Sequence, residues 1–453
     1  MPSIPMACST PAGCGRVPDP DIAQTTRMQT RLSPQFQQTD EGRRADAVLR
    51  SCVHCGFCNA TCPTYKLTGN ELDGPRGRIY LMKQVFEGHE PTRTTQEHLD
   101  RCIGCRHCES TCPSGVQYHE LLAVGQAEVD RQVRRPLPQR LRRWGLRTLV
   151  PSRLFGPALA LGRALRPLLP AALAEQVPVA PALPAGAWPD ARRQLHTRRV
   201  LMPQGCVQPH LRPHIDAATA RVLDAVGVRA VPVRGAGCCG ALKGHLGDEE
   251  GARAQARRNI DAWWPHLQGD APAEAIVVNA SGCGAWVKDY ASLLAGDAAY
   301  ADKARRVVGL VKDPAELLPQ WLPALKRALH QRPGDAKALG ELTFHPPCSF
   351  SHALKLSAAA RPGPVESGLR ELGFEVRLAR TDSHQCCGAG GAYSLLQPEL
   401  SAPLRQAKVA ALEAVGSPVV ASANIGCITH LQGAMRTPVK HWIELVDEAL
   451  TGP

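Results

Sequence analysis

Aromatic side chains are scarce in this chain: seven Phe, seven Trp and six Tyr stand among 453 residues. The 44% hydrophobic content therefore rests largely on Ala, Leu and Val, which still supplies a core and excludes a disordered chain. No apolar h-region follows a basic start, so nothing in the sequence marks the chain for export. A membrane-crossing helix needs roughly 20 apolar residues. The apolar stretch after Phe155 is cut by Arg163 and Arg166, and no span is expected. Nucleotide-binding signatures are missing too. In the nearest approach to G-x-G-x-x-G, Gly388 and Gly390 are followed by Tyr393 where the third glycine belongs, and there is no P-loop. Acid is absent from residues 131–170, which hold ten arginines.

Cysteine, by contrast, is abundant. Eighteen cysteines in a small secreted protein would mean disulfides, but in a long chain without an export signal they imply reduced thiols, and so metal binding or catalysis. The length suggests roughly three domains, because one core rarely grows past about 250–300 residues. The first 27 residues are rich in Pro, Ser, Thr and Gly without an apolar period. A disordered tail is expected over 1–39, with no role for Cys8 or Cys14.

Eight cysteines fall in two matched runs, CVHCGFCNATCP at 52–63 and CIGCRHCESTCP at 102–113. Each reads C-x2-C-x2-C-x3-C-P, the run that bacterial ferredoxins use. Zinc asks only for two C-x2-C pairs and has no use for the third such step. Three thiolates two residues apart wrap three corners of one cubane from a single loop, and in two-cluster ferredoxins the fourth serves the other cluster. On that pattern Cys52, Cys55, Cys58 and Cys112 hold one [4Fe-4S] cluster, and Cys102, Cys105, Cys108 and Cys62 hold the second. Ile79, Met82, Val85 and Phe86, then Tyr118, Leu121, Leu122 and Val129, repeat at helical spacing around the runs. Thirty-nine residues between Cys62 and Cys102 exceed what a compact strand-based ferredoxin needs. An α-helical two-cluster domain over 40–133 is expected, acting in electron transfer. No catalytic residue is assigned.

A second repeat follows. Cys206, the pair Cys238–Cys239, and Cys283 recur as Cys348, the pair Cys386–Cys387, and Cys427, at intervals of 31 and 43, then 37 and 39 residues. Helical patterns (Ile215, Ala218, Val222, Leu223, Val226; Val365, Leu369, Leu372) follow the first cysteine of each copy. Short strands, RAVPV or FEVRLA, lead to the double cysteine, and AIVVN or PVVASAN to the last. Two repeated α/β domains with parallel sheets are expected at 199–330 and 341–453, making the whole an α+β multidomain chain. Cysteines at the carboxyl ends of parallel strands occupy the place where such sheets put their sites. A metal or further iron–sulfur centre, a redox thiol and simple packing remain open for them, and His430, three after Cys427, is a candidate ligand where the first copy has Trp286.

Over residues 28–453 the chain resembles the iron–sulfur subunits of bacterial glycolate oxidase. The resemblance lies in RSCVHCGFCNATCPTY, LDGPRGRIYLMKQV, CIGCRHCESTCPSGVQYHELL and the two CCG segments; MQTRLSPQF matches the amino end and makes Met28 a candidate start. It implies two [4Fe-4S] clusters, no flavin on this chain, and a flavin-carrying partner that oxidises glycolate to glyoxylate. It also implies electrons passed to the respiratory quinone pool, and a cytoplasmic chain peripheral to the inner membrane face. Subunits of lactate or glycerol-3-phosphate dehydrogenase, or a heterodisulfide-reductase-like thiol reductase, are the alternatives. Relatives that bind a cluster in the CCG domains end them in C-x-x-C, and here Trp286 and His430 replace the second cysteine.

The net charge of +12 concentrates in the Pro-interrupted stretch 134–198. Two readings fit: a solvated linker whose leucines pack on a neighbouring domain, or a segment lying on an anionic membrane. Nucleic acid is not expected as a partner, since the basic residues 131–170 carry one Trp and no recognition motif.

Overall fold

Helices fill the described chain as far as Leu168, and parallel strands begin only at Arg198. The structure, a computed structural model, describes residues 28–170, 174, 177, 187–190, 196–331, 339–357, 362–381 and 383–452. Cys8 and Cys14 lie outside the described residues, as does the expected tail up to residue 27.

Helices Asp40–Ser51, Pro75–Phe86, Arg93–Asp100 and Tyr118–Gln132 frame the two cysteine runs. Local chemistry starts them. Thr39 accepts a hydrogen bond from Gly42 N, Pro75 opens its helix, and Thr92 and Thr95 form a reciprocal capping box. Their apolar faces meet in one core of Ala45, Leu49, Ile79, Met82, Phe86, Leu121 and Val129. The expected tail is ordered from Met28 onward. Phe36 is buried and stacks on Phe86 with ring centroids 4.5 Å apart, and Met28 N donates to Cys52 O, so 28–37 closes the core that 40–133 would leave open.

Each later repeat is a four-stranded parallel sheet. Strands β1 (Arg198–Met202), β2 (Val228–Pro232), β3 (Ile276–Val277) and β4 (Val311–Lys312) order as β2-β1-β3-β4. Strands β5 (Glu341–His345), β6 (Glu375–Arg377), β7 (Val420–Ser422) and β8 (Val439–His441) repeat that order as β6-β5-β7-β8. Both faces of such sheets are covered, and β1 and β5 accordingly end in runs of buried residues. β4 and β8 have two and three residues, too short to leave an alternating pattern, and went unread in the sequence.

The two repeats share one core. Val200, Ile215 and Leu223 of the first join Leu342, Leu369 and Trp442 of the second in a single buried cluster. Helix Pro314–His330, after β4, packs on Pro364–Leu372 of the second repeat, and the final helix Trp442–Thr451 packs back on His214–Ala225. Arg221 pairs with Asp447, and His214 Nε2 lies 2.9 Å from Glu444 Oε1 across this seam.

Gly368 sets the closeness of the first helix pair, since a Cβ there would stand 2.5 Å from Leu318 Cδ2. Gly368→Leu should cost about 1–3 kcal/mol by overpacking. Hydrogen exchange should then rise in β1 and β5 together; faster exchange in β5 alone would mean that the repeats fold independently.

Candidate metal centre

The two ferredoxin-type loops have the same backbone. His54 and Gly56 adopt positive φ (55° and 83°), and fifty residues on Gly104 and Arg106 do so at the matching places (72° and 59°). A non-glycine residue held there is costly, and such geometry persists only where its surroundings demand it. Here it turns backbone N–H groups toward sulfur: the amides of His54 and Gly104 donate to Cys52 and Cys102, and that of His107 to Cys105. Short helices Phe57–Thr61 and His107–Thr111 then carry Cys58 and Cys108 inward.

Each loop gathers three cysteines and receives its fourth from the other. Cys52, Cys55, Cys58 and Cys112 line one cavity, together with Ile79, Val116, Tyr118 and, from the other group, Cys108. Burial, then the charges of Cys52, Cys112 and Cys55, push the Cys58 thiol up to about 11. Cys62 stands with the other group, where burial and neighbouring thiols including Cys62 raise Cys102, Cys105 and Cys108. Thiolates crowded in this way need positive charge among them, and iron with inorganic sulfide supplies it; the donor sets fit two four-iron clusters.

Sequence reading missed the cation beneath the second group. Arg78 is 1% exposed, donates from Nε to His98 O at 2.7 Å, and reaches Thr64 Oγ1 with both terminal nitrogens at 3.2–3.3 Å. Thr64 Oγ1 in turn lies 3.3 Å from Cys62 Sγ. Burial opposes the charge, but Tyr118, Cys102, Cys62 and Asp73 around it hold the guanidinium protonated more firmly than usual. The signal was present in LDGPRGRIYL, where an arginine falls on the buried face of a helix.

In the repeats the topology brings four distant cysteines together. The strand order reverses between β1 and β3; the loop leaving β1 carries Cys206, the first turn of helix Ser281–Lys288 after β3 carries Cys283, and the loop after β2 carries Cys238–Cys239. The thiols are in contact in series: Cys206 with Cys238, Cys238 with Cys239, and Cys239 with Cys283. Cys348, Cys386, Cys387 and Cys427 repeat the series. The turns match as well, with Gly240 N on Cys238 Sγ and Gly388 N on Cys386 Sγ, both at 3.4 Å. His430 faces Cys387, but its Nε2 lies 3.3 Å from Ser401 Oγ, which bonds Gly388 O. Trp286 instead packs edge-on to His245 beside the Gly240 turn. Among the described residues no group of three or more His, Cys, Asp or Glu side chains is arranged to hold a single metal ion.

The second tetrad abuts the second ferredoxin-type loop. After burial, the charge that most raises Cys105 is that of Cys348, ahead of any cysteine of its own group. Ile103 packs with Cys386, Tyr393 and Leu404, and Tyr393 Oη donates to Arg101 O at 3.1 Å. His107 stacks on His352 at 4.1 Å and meets His384 edge-on. Burial above all depresses His107 to about 3 and His352 to about 4, so the stack is uncharged at neutral pH. The first repeat meets this loop through Asp289, paired with Arg106, rather than through its cysteines.

Removing the buried cation should move one potential selectively. Arg78→Gln should lower the reduction potential of the centre formed with Cys62 by about 60 mV, a tenfold bias for one electron, because an added electron loses its positive neighbour. Redox-poised paramagnetic resonance reads this; an equal shift of both centres, or none, would remove Arg78 from that role.

Comparison with known proteins agrees with this arrangement. Residues 48–116 match the 4Fe-4S dicluster domain, and 200–288 and 342–432 match the cysteine-rich domain. The chain is 51% identical to the glycolate oxidase iron-sulfur subunit of Escherichia coli (strain K12), over 93% of this chain and 99% of that protein. It is 28% identical to the probable glycolate oxidase iron-sulfur subunit of Bacillus subtilis (strain 168), over 88% and 91% of the two chains. Lactate utilization protein A of Bacillus pumilus is 24% identical over 51% of this chain and 89% of its own length. Two ferredoxin-type loops and two cysteine-rich repeats in one chain, matched nearly end to end, place this protein in the glycolate oxidase iron–sulfur subunit family.

Proposed function

We propose that this chain is the electron-transfer subunit of a flavin-dependent glycolate dehydrogenase, with the flavin on a partner subunit and the respiratory quinone pool as acceptor. The observation that carries the reading is the exchange of Cys62 and Cys112 between two otherwise complete loops, which brings the two thiol groups close together. Cys52, Cys55, Cys58 and Cys112 hold the first cluster, and Cys102, Cys105, Cys108 and Cys62 the second. A bound [4Fe-4S] cluster accepts and releases one electron at a time, which suits a flavin that can release its pair singly. The chain's own residues set the conditions. Ile79, Val116 and Tyr118 line the inner side of the first group, whose Cys55 is exposed, and Arg78 holds positive charge against the second.

The domains divide accordingly into 40–133, extended back to Met28, and the repeats 199–330 and 341–453. In this reading the tetrad of Cys348, Cys386, Cys387 and Cys427 lies next in line after the second cluster, because Cys348 borders Cys105. Its four thiols are candidate ligands of a further iron–sulfur centre, since their arrangement does not suit a single metal ion. The other tetrad, Cys206, Cys238, Cys239 and Cys283, lacks such a neighbour among the described ferredoxin-type cysteines. No helix of the described residues is long and apolar enough to cross a membrane; the chain meets its acceptor from the cytoplasmic membrane surface.

Iron content and reconstitution test this. Anaerobically purified protein should carry at least eight irons, four per cubane. Cys62→Ser should disturb the signal of the centre held by Cys102, Cys105 and Cys108, and Cys112→Ser the other. Glycolate-dependent dye reduction should appear only when the flavin subunits are added. Zinc in place of iron, or glycolate turnover by the chain alone, would overturn the reading.

A further inference from the structure

Two helices between the ferredoxin-type domain and the first sheet are turned inside out. Helix Leu137–Leu149 buries no residue fully. Its apolar positions Leu137, Leu141 and Trp144 follow i, i+4, i+7 spacing, which places them on one face, and they are 63%, 58% and 58% exposed. Arg143, roughly on the opposite side, points inward instead, to within 3.7 Å of Asp100. The next helix, Phe155–Leu165, buries Leu159 but exposes Leu161 and Leu165, with Leu154 before it and Leu168 after it also exposed. Eight of the thirteen large exposed hydrophobic side chains of the described residues fall within 137–168. A soluble surface does not ordinarily concentrate them so.

The charge carried by this stretch itself has one sign. Residues 131–170 contain no acid. Arg140, Arg142 and Arg153 are exposed and have no carboxylate partner among the described residues. Arg140 also borders an open hollow shared with Arg131, Arg134 and Arg135. Arg131 and Arg135 are already paired, with Glu128 and with Asp100 and Asp130, which leaves Arg134 and Arg140 to meet an incoming anion.

We propose that the outward face of 137–168 docks this chain on an anionic lipid bilayer, with Leu137, Leu141, Trp144, Leu161 and Leu165 entering the headgroup–acyl boundary and Arg140, Arg142 and Arg153 meeting lipid phosphates. Leucine and tryptophan flanked by arginine is the composition of helices that lie in that interface. Neither helix is long enough to cross it. A protein partner would be expected to answer Arg134, Arg140, Arg142 and Arg153 with acid of its own; a bilayer answers them with phosphate on any approach. The inference deepens the membrane-surface part of the function proposed above.

Vesicle sedimentation of the intact iron-loaded chain tests it. The chain should pellet with vesicles of phosphatidylglycerol in phosphatidylcholine, weakly with phosphatidylcholine alone, and less as salt rises. Leu141→Glu with Trp144→Glu should abolish pelleting, and Arg140→Gln with Arg142→Gln should weaken it roughly thirtyfold, both with iron content and circular dichroism unchanged. Wild-type protein that stays in the supernatant with anionic vesicles would overturn the proposal. So would a double Glu variant that still pellets, or one whose only defect is failure to join the flavin subunits, which would make the face a protein interface. The readout needs no glycolate turnover, so its failure leaves the electron-transfer reading standing, and a chain that pelleted without iron would sink that reading alone.

Discussion

Mutual repulsion among crowded thiolates is the constraint on which the architecture turns. Sixteen cysteines of the described chain are free, and they collect in four groups of four. Burial raises the thiols of Cys52, Cys58, Cys102, Cys105 and Cys108, and neighbouring thiols raise them further. Such groups hold together in the folded chain only because the surrounding structure forces them to. The forcing elements are local in the loops, where His54, Gly56, Gly104 and Arg106 take left-handed backbone, and topological in the sheets, where the reversal between β1 and β3 sets two strand ends side by side.

The exchange of fourth cysteines makes the two loops one unit. Cys62 leaves the first loop and Thr64, two residues later, bonds both Asp73 O and Arg78, so the chain that delivers Cys62 to the second group also anchors the buried cation there. Asp73 accepts from Arg101 and faces His98 at 2.8 Å, tying the helix before the second loop to the same point. A single buried polar knot therefore fixes the fourth ligand, the cation and the entry of the second loop together. Buried charge of this kind is weak evidence for added stability and better read as fixing geometry.

The thiol groups were legible in the sequence to the extent that their spacing is local. Three cysteines at x2 intervals report a loop by themselves, and the repeat of Cys206 through Cys283 as Cys348 through Cys427 reported a duplicated fold. The helical periods around Ile79 and Leu121, and in Ile215–Leu223 and Val365–Leu372, landed on buried faces because an amphipathic stripe is written in consecutive turns. What failed to show was long-range. Phe36 reads as a lone aromatic in a polar stretch until Phe86 is beside it, and His352 and Tyr393 gain meaning only from His107 and Arg101, more than 240 residues earlier. The stretch 134–198 looked like a linker because its prolines and arginines interrupt the apolar run; Leu159 does pack on the neighbouring core, yet Leu137, Leu141, Leu149, Leu161 and Leu165 of its two helices are exposed.

Duplication also leaves an asymmetry that neither copy contains alone. Both repeats build the same sheet, the same Gly-capped double cysteine and the same contact series, so each is equally able to gather four thiols. Their surroundings differ. The second repeat presents Cys348, Ile103's partner Tyr393 and the uncharged His107–His352 stack to the second loop, an apolar seam through which thiol groups approach closely. The first presents Asp289 to Arg106 and Arg253 to Glu41, an ionic seam that positions the domain without bringing its cysteines to the loops. One-electron transfer depends steeply on separation, whereas docking does not. Sheets of the same strand order thus sit in different surroundings: the second repeat sets its thiols beside those of the second loop, and the first is locked to it through the shared core.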